Sequence, residues 1–283
     1  MIDNLKSGRL YLVGTPIGNL EDITLRAIRI LQEVDFIAAE DTRRTGKLLQ
    51  YLKIDTPQIS YHEHNHNSRI EDLVDRLQKG AKIAVVTDAG MPSISDPGCE
   101  LVQAAITSKI QVIPIPGGTA AISALAASGL STDRFVFEGF LPLKEKERKI
   151  RLDILKNETR TLVLYEAPHR LSKTLKDLSV VLGEKRKIVL ARELTKVHEE
   201  IWRGNVADAI ALYSKRQPKG EYTLVVAGAT AETALFMSES ELKTELKKLL
   251  EQGMTRSQAS RYLAQSATLS RREIYQLALD IDG

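Results

Sequence analysis

The feature that most constrains this chain is a series of short, unbroken apolar runs separated by helical patterns. Leu10–Val13, Val34–Ala39, Ala81–Thr87 and Gln111–Ile115 are such runs. Continuous rather than alternating apolar character marks strands covered on both faces, the condition of a parallel sheet. Between them, Ile23, Ala27, Ile30 and Leu31 recur at helical spacing, and Leu73–Leu77 predicts a further helix. Strand, crossover helix and strand repeated in this way give an open α/β sheet.

Past Pro116-Gly117-Gly118-Thr119 the rhythm changes. Ala120–Ala127 predicts a helix of small residues able to pack close to a neighbouring backbone. Phe135–Phe140, Thr161–Tyr165, Lys187–Ala191, Glu199–Arg203 and Tyr222–Ala227 predict five strands, with two clear helices among them near 146–157 and 170–182. The expected organisation is an N-terminal α/β domain over 1–120 and a C-terminal mixed α/β domain over 121–230. Residues 231–283 follow a third grammar. Ser238 with Glu241, Thr255 with Gln258 and Ser270 with Glu273 fit the capping box, in which two side chains satisfy orphan amides at a helix start. They open helices at 239–252, 256–264 and 271–280, a helix-turn-helix-like appendage. Its seven basic and eight acidic residues leave it near neutral, so charge alone does not make it a nucleic-acid reader.

Composition bounds the function classes. A chain of 283 residues, 43% apolar and 27% charged, is an ordinary globular protein of about two domains. The net charge of +3 is too small to imply a polyanionic partner. One cysteine, Cys99, excludes an internal disulfide framework and a Cys-based zinc site, and suits a reducing compartment. Met1–Gly8 is polar, unlike a signal peptide, and no run approaches the ~20 apolar residues of a membrane helix. A cytoplasmic protein is expected.

The chemistry sits at the strand ends. Gly14-Thr15-Pro16-Ile17-Gly18 follows a strand and precedes a helix, and Glu40 lies 22 residues past Gly18, roughly where a dinucleotide site places its ribose-binding acid. The full G-x-G-x-x-G is missing, as is the Lys-Ser/Thr of a P-loop, so a tight turn without ligand explains this loop alone equally well. Two more loops, Thr87–Gly98 and Pro114–Ala120, are equally rich in Gly and Pro. Ligands of open α/β sheets bind outside the carboxyl ends of strands, and glycine lets backbone polar groups come close. Three such loops at three strand ends predict a ligand cleft.

The loops resemble those of the tetrapyrrole methylase superfamily. LVGTPIGNLEDIT (12–24), AAEDTRRTGKLL (38–49), YHEHN (61–65), TDAGMPSISDPG (87–98), IPGGTAAISAL (115–125), FEGFLP (137–142), LYEAPHRL (164–171), LARELTK (190–196) and KGEYTLVV (219–226) narrow it. They are similar to the branch that methylates the ribose 2′-oxygen of a decoding-centre cytidine in 16S ribosomal RNA. The likeness runs from about residue 9 through the tail. It implies two α/β domains holding S-adenosylmethionine between them, a small-subunit rRNA substrate, a homodimer and no metal. Carried over residue by residue, Pro16 lies beneath the donor, Thr87-Asp88-Ala89 with Gly90 and Ile94 contacts it, and Thr119-Ala120 lines its other side. Tyr165, Ala191 and Lys219-Gly220 close it from the second domain. Where the family often has Gly-Pro-Ser, this chain has Gly117-Gly118-Thr119, which keeps the hydroxyl but loosens the backbone.

A ribose hydroxyl needs a general base or support for its oxyanion, and the candidates are Glu193, Lys196 and Glu40, with Asp41 and His64 behind them. Arg43, Arg44 and Arg192 suit phosphate, which a guanidinium fork pairs bidentately. His62, His64 and His66 alternate, a spacing that on a strand would serve a metal, though a hydrogen-bonded cleft wall fits better. Cys99 is expected buried in a helix, and Trp202 is either a core or dimer contact or a base-stacking platform. The basic residues of 144–160 (Lys144, Lys146, Arg148, Lys149, Arg151, Lys156 and Arg160) are either a solvated helix face or a phosphate track. A tetrapyrrole methyltransferase and a non-catalytic RNA-binding module remain the alternatives.

Overall fold

The computed structural model describes residues 8–62, 66–229, 239–251, 253–264 and 269–280. The first layer is built from β1 (Arg9–Val13), α1 (Leu25–Glu33), β2 (Phe36–Ala39), α2 (Thr42–Leu52) and β3 (Gln58–Ser60), followed by α3 (His66–Gln78), β4 (Lys82–Val86), α4 (Cys99–Thr107) and β5 (Gln111–Ile115). Its five strands are all parallel in the order β3-β2-β4-β1-β5. Both faces are covered, as the continuous apolar runs predict. Val13, Ile37, Ala39, Ala84 and Val86 pack against α1 and α2 residues such as Leu31 and Leu49. Leu10, Ala38, Ile83 and Val85 pack on the other face against Leu73, Leu77 and Leu101 of α3 and α4.

Local chemistry sets the element ends. Thr24 caps α1 by accepting from the Ala27 N–H at 3.1 Å, and Asp41 caps α2 by accepting from the Arg43 N–H at 2.8 Å. Val34, expected inside the second strand, instead follows α1 as its C-cap, and the strand starts at Phe36. Cys99, expected buried, is the first residue of α4 and is exposed, because the buried face of that helix begins at Leu101.

The second layer begins with α5 (Ala120–Ser128). β6 (Phe135–Phe140), α6 (Glu145–Leu155), β7 (Thr161–Glu166), α7 (Pro168–Leu182), β8 (Lys187–Arg192), β9 (Glu200–Asn205), α8 (Val206–Lys215) and β10 (Tyr222–Val226) complete it. The sheet order is β6-β7-β10-β8-β9, with β6 and β7 parallel and the other pairs antiparallel. The small residues of α5 allow Ala121, Ala124 and Leu125 to lie flat on Val163, Val189 and Val225. Helix α8 is a third helix where two were expected, and its Asn205–Asp208 capping box carried the signal. Trp202 is half-buried and packs against the core cluster that includes Leu190 and Leu224, as the core reading expects.

The tail forms α9 (Glu239–Glu251), α10 (Arg256–Leu263) and α11 (Arg271–Leu279) around Leu242, Leu246, Ala259, Leu263 and Ile274. The capping boxes at Thr255/Gln258 and Ser270/Glu273 are formed, while Ser238 lies outside the described residues. Among the described residues no helix is long and apolar enough to cross a membrane.

The basic run at 144–160 is divided by its partners. Arg148 turns inward with its side chain 5% exposed, donating to Asp177 at 2.7 Å and to the carbonyl of Leu143 at 3.0 Å. Arg151 grips Glu138 through two bonds of 2.6 and 2.8 Å, and Arg160 grips Glu158. Arg151 and Arg160 stay exposed on these partners, as do the lysines of the run, with Lys144 on Glu147. Replacing Arg148 by Ala strands Asp177 and the carbonyls, and is expected to cost about 2 kcal/mol or more in urea unfolding with the slope unchanged.

Candidate functional site between the two sheets

β1 lies between β4 and β5 in the first sheet, so three carboxyl ends stand side by side and their loops interlock. The Thr15 N–H donates to the Gly90 carbonyl at 2.9 Å, and the Gly90 N–H returns a bond of 3.1 Å. The Thr15 hydroxyl donates to the Thr87 carbonyl at 3.1 Å. Gly14 meets Gly117 backbone to backbone, and a Cβ on Gly14 would stand 2.7 Å from the Gly117 Cα. Gly90 has φ +85°, yet a Cβ there would meet its nearest atoms only at 3.6 Å. Conformation, rather than the close approach expected from sequence, is what requires glycine at 90.

Against this junction the second sheet presents the loop after β8. Glu193 and Thr195 take left-handed φ of 50° and 65°, uncommon for residues with a Cβ. The Thr195 hydroxyl accepts from the Asn19 N–H at 3.0 Å, and Gly18 is pressed against the Lys196 side chain. A second junction forms where Gly139, in the left-handed β6 bulge, faces Ser95. The two sheets thus enclose a cavity of about 420 Å³.

The cavity wall contains seven of the expected donor residues: Ala89, Gly90, Ile94, Thr119, Ala120, Tyr165 and Ala191. Five others stand behind it. Pro16 is buried beside Ile17, which does line the wall. Thr87 and Asp88 close the end of β4, where buried Thr87 Oγ1 and Asp88 Oδ1 lack hydrogen-bond partners among the described residues. Lys219 offers its carbonyl to Arg192 at 2.6 Å. Gly220, at φ +78°, backs onto Glu193, whose Cγ would lie 2.4 Å from an added Cβ. Sequence reasoning missed Asp96, Phe140, Glu166, His169, Glu221 and Tyr222 as wall residues, although all six fall in its motif strings.

Of the candidate catalytic groups, Glu193 and Lys196 reach the wall and Glu40 does not. Lys196 Nζ donates to Glu193 at 3.0 Å and to Glu221 at 2.8 Å. Burial works against its charge, but these two carboxylates outweigh it and raise its pKa. Glu193 is likewise held below the usual range despite burial, by the Glu221 N–H and by Lys196. Glu40 accepts from the Asp88 N–H at 3.2 Å, and burial pushes its carboxyl up. Tyr165 stacks edge-on against Phe137 with centroids 5.1 Å apart, and its hydroxyl accepts from the Ala121 N–H.

The arginines expected to meet RNA have partners inside the chain. Arg43 forks onto Asp41 at 2.7 and 3.0 Å and Arg44 pairs with Asp88 at 3.1 Å, both with side chains largely in solvent. Arg192 is turned inward, 14% exposed, between the Lys219 carbonyl and Glu200. His62 is half-buried, and His64 and the His66 side chain lie outside the described residues. Among the described residues no group of three His, Cys, Asp or Glu is placed to hold a metal ion.

An open parallel sheet facing a mixed sheet across a cleft of strand-end loops defines the two-layer α/β methylase class. Residues 9–210 match the model of the Tetrapyrrole (Corrin/Porphyrin) Methylases. Two solved structures share the fold. The uroporphyrin-III-C-methyltransferase of Thermus thermophilus is 23% identical, with a TM-score of 0.56 over 78% of this chain and 94% of its own. The methyltransferase CobJ is 19% identical, with a TM-score of 0.61 over 79% and 95%. Curated relatives are much nearer. One from Synechocystis sp. is 58% identical over 98% of this chain and 99% of its own. Another from Streptococcus pyogenes serotype M1 is 45% identical over 99% and 97%, and one from Escherichia coli O157:H7 is 44% identical over 98% and 96%. All three bear the name ribosomal RNA small subunit methyltransferase I. The chain belongs to the tetrapyrrole methylase family, in the group these relatives form.

Asp96 gives the cavity a pH signature. Burial, aided by the carboxylates of Glu40 and Asp88, pushes its carboxyl from 3.8 up to about 7. The folded chain therefore keeps a proton that the unfolded chain releases near 3.8, so this contribution is full below that pH and is lost as pH rises to about 7. Asp96→Asn is expected to flatten the fall in chemical stability between about pH 4 and 7, read from urea midpoints across that range.

Proposed function

We propose that this chain transfers a methyl group from S-adenosylmethionine to the ribose 2′-oxygen of a decoding-centre cytidine in 16S ribosomal RNA on the small subunit. The observation that carries this is near-full-length likeness, at 44–58% identity, to relatives named as small-subunit rRNA methyltransferases. The tetrapyrrole-methylating reading draws only on the shared fold, at 19–23% identity to the solved structures.

The cavity suits the donor. Its volume is in the range of a small-molecule site and its wall is mostly apolar with a few polar groups. Ala89 and Gly90 bring main chain to one side, and Thr119 with Ala120 to another. When bound, the donor supplies an electrophilic methyl on a sulfonium, which leaves the protein to align the acceptor oxygen and support its developing charge. Lys196 serves the second task as a fixed positive charge, held at the cavity wall by Glu193 and Glu221. Its raised pKa makes it a poor base, and Glu193 orients it. Glu40 acts at a distance by fixing the Asp88 main chain. Arg43 and Arg44, on the solvent side of Asp41 and Asp88, have guanidinium surface left for phosphate. The working unit is a homodimer in the cytoplasm; the exposed apolar side chains of Leu143, Ile150 and Ile154 on and before α6 suit burial against a second copy. Sedimentation at micromolar concentration giving a monomer mass would remove that part.

Labelled donor offered in parallel to undermethylated small subunits and to uroporphyrinogen tests the assignment: label is expected in rRNA, and label in the macrocycle alone would reverse it. Gly90→Val, which forces a β-branched residue to φ +85°, is expected to abolish donor binding in calorimetry. Lys196→Met is expected to keep donor affinity and lower kcat about a hundredfold or more. Unchanged turnover would take the charge-supporting role away from Lys196.

A further inference from the structure

The described residues of the helical tail take no part in the cavity, and its charges are unevenly divided. On α9 four acids face three lysines. From 255 to 280 four arginines face only Glu273 and Asp280, and Glu273 is committed to the Ser270 N–H at 2.7 Å. Two of these arginines have structural work: Arg256 donates to the Ala278 carbonyl at 3.2 Å and Arg271 to Ser257 at 2.9 Å, fastening α10 to α11. Arg261 and Arg272 are exposed and form no ion pair among the described residues.

Helical spacing groups them with aromatic and amide side chains. Gln258, Arg261 and Tyr262 share one exposed stripe of α10, opposite buried Ala259 and Leu263. Arg272, Tyr275 and Gln276 share one exposed stripe of α11, opposite buried Ile274 and Ala278. Tyr262 is 57% and Tyr275 39% exposed, although neither is needed for the small core around Leu246 and Ile274. Each stripe thus repeats an unneutralised guanidinium and a tyrosine ring, beside an amide that is exposed at Gln276 and whose oxygen is engaged in the Thr255 capping box at Gln258.

We infer that these two stripes form an RNA-docking surface, gripping rRNA phosphates through Arg261 and Arg272 and stacking unpaired bases on Tyr262 and Tyr275. The inference rests on the rRNA substrate proposed above and adds a second contact region outside the methyl-transfer cavity. Guanidinium pairs phosphate bidentately, aromatic faces accept any base, and a Gln amide hydrogen-bonds base edges. An acidic protein partner would match the arginines but leave the paired tyrosines and amides without a role.

The full chain is tested for binding of in vitro transcribed 16S rRNA and undermethylated small subunits across a salt series, together with steady-state methylation. The double variants are Arg261→Gln with Arg272→Gln, and Tyr262→Ala with Tyr275→Ala, the ring removal being made at exposed positions so that the tail stays folded by circular dichroism. The arginine pair is expected to lower the salt slope of rRNA binding by about two and raise KM for subunits, with kcat and donor affinity unchanged. The tyrosine pair is expected to weaken rRNA binding about fivefold or more for each stacked ring, with the salt slope retained. Unchanged KM and slope in both variants would overturn the surface. So would a loss seen with whole subunits but not with naked rRNA, which would assign the stripes to a ribosomal protein. Because rRNA binding is read without turnover, a wild-type chain that binds but does not methylate would sink the proposed activity and leave the surface standing.

Discussion

Everything at the cleft depends on backbone meeting backbone between Gly14 and Gly117. Parallel strands deliver their carboxyl ends to one edge of a sheet, but side chains normally hold the following loops apart. Here the absence of a Cβ on either residue lets the loops after β1 and β5 touch, and the Thr15–Gly90 pair ties the loop after β4 to them. The result is a floor made largely of main chain, with polar N–H and C=O groups fixed by covalent geometry rather than by rotamers. A floor of that kind is set once the sheet forms, which is why β1, flanked by β4 and β5, contributes so little chemistry of its own and yet positions the loops around it.

The second sheet works differently. Its contribution hangs on the loop after β8, whose strained residues are held by hydrogen bonds from both sides: the Thr195 N–H donates to Glu199 at 2.6 Å, the Asn19 N–H to the Thr195 hydroxyl, and the Glu221 N–H to Glu193 at 2.9 Å. Polar groups outnumber apolar ones here, and each one satisfies another. Glycine at 220 is the steric condition for that arrangement, since any side chain would occupy the space of Glu193. The N-terminal loops thus provide shape, and the C-terminal loop provides charge.

Much of the fold was legible because strands buried on both faces leave an unmistakable apolar trace. β5, β6 and the starts of β7, β8 and β10 fall where the runs place them. β3 escaped because Gln58–Ser60 is a three-residue edge strand, half-buried throughout. α2 escaped because only Thr45 and Leu49 of TRRTGKLLQYL are buried, too few to mark a face. At the site, motif strings located the right loops but could not say which side chains turn inward. Arg192, at the end of β8, donates to the carbonyl of Lys219 in the loop before β10, a relation that no local pattern encodes. The state of Asp96 depends on burial and on Glu40 arriving from the end of β2, so it too becomes visible only after folding.

Among the described residues six with a side chain adopt left-handed φ, and four of them, Ser93, Ser95, Glu193 and Thr195, fall in the two loops that border the cavity. Each such residue costs on the order of 1 kcal/mol. The cleft is therefore the most tensioned part of the molecule, and whatever fills it braces the same loops that carry the tension. Occupancy and heat resistance become two readings of one quantity. A melting-temperature shift is thus a direct gauge of what the cleft accepts, and it requires no knowledge of the reaction.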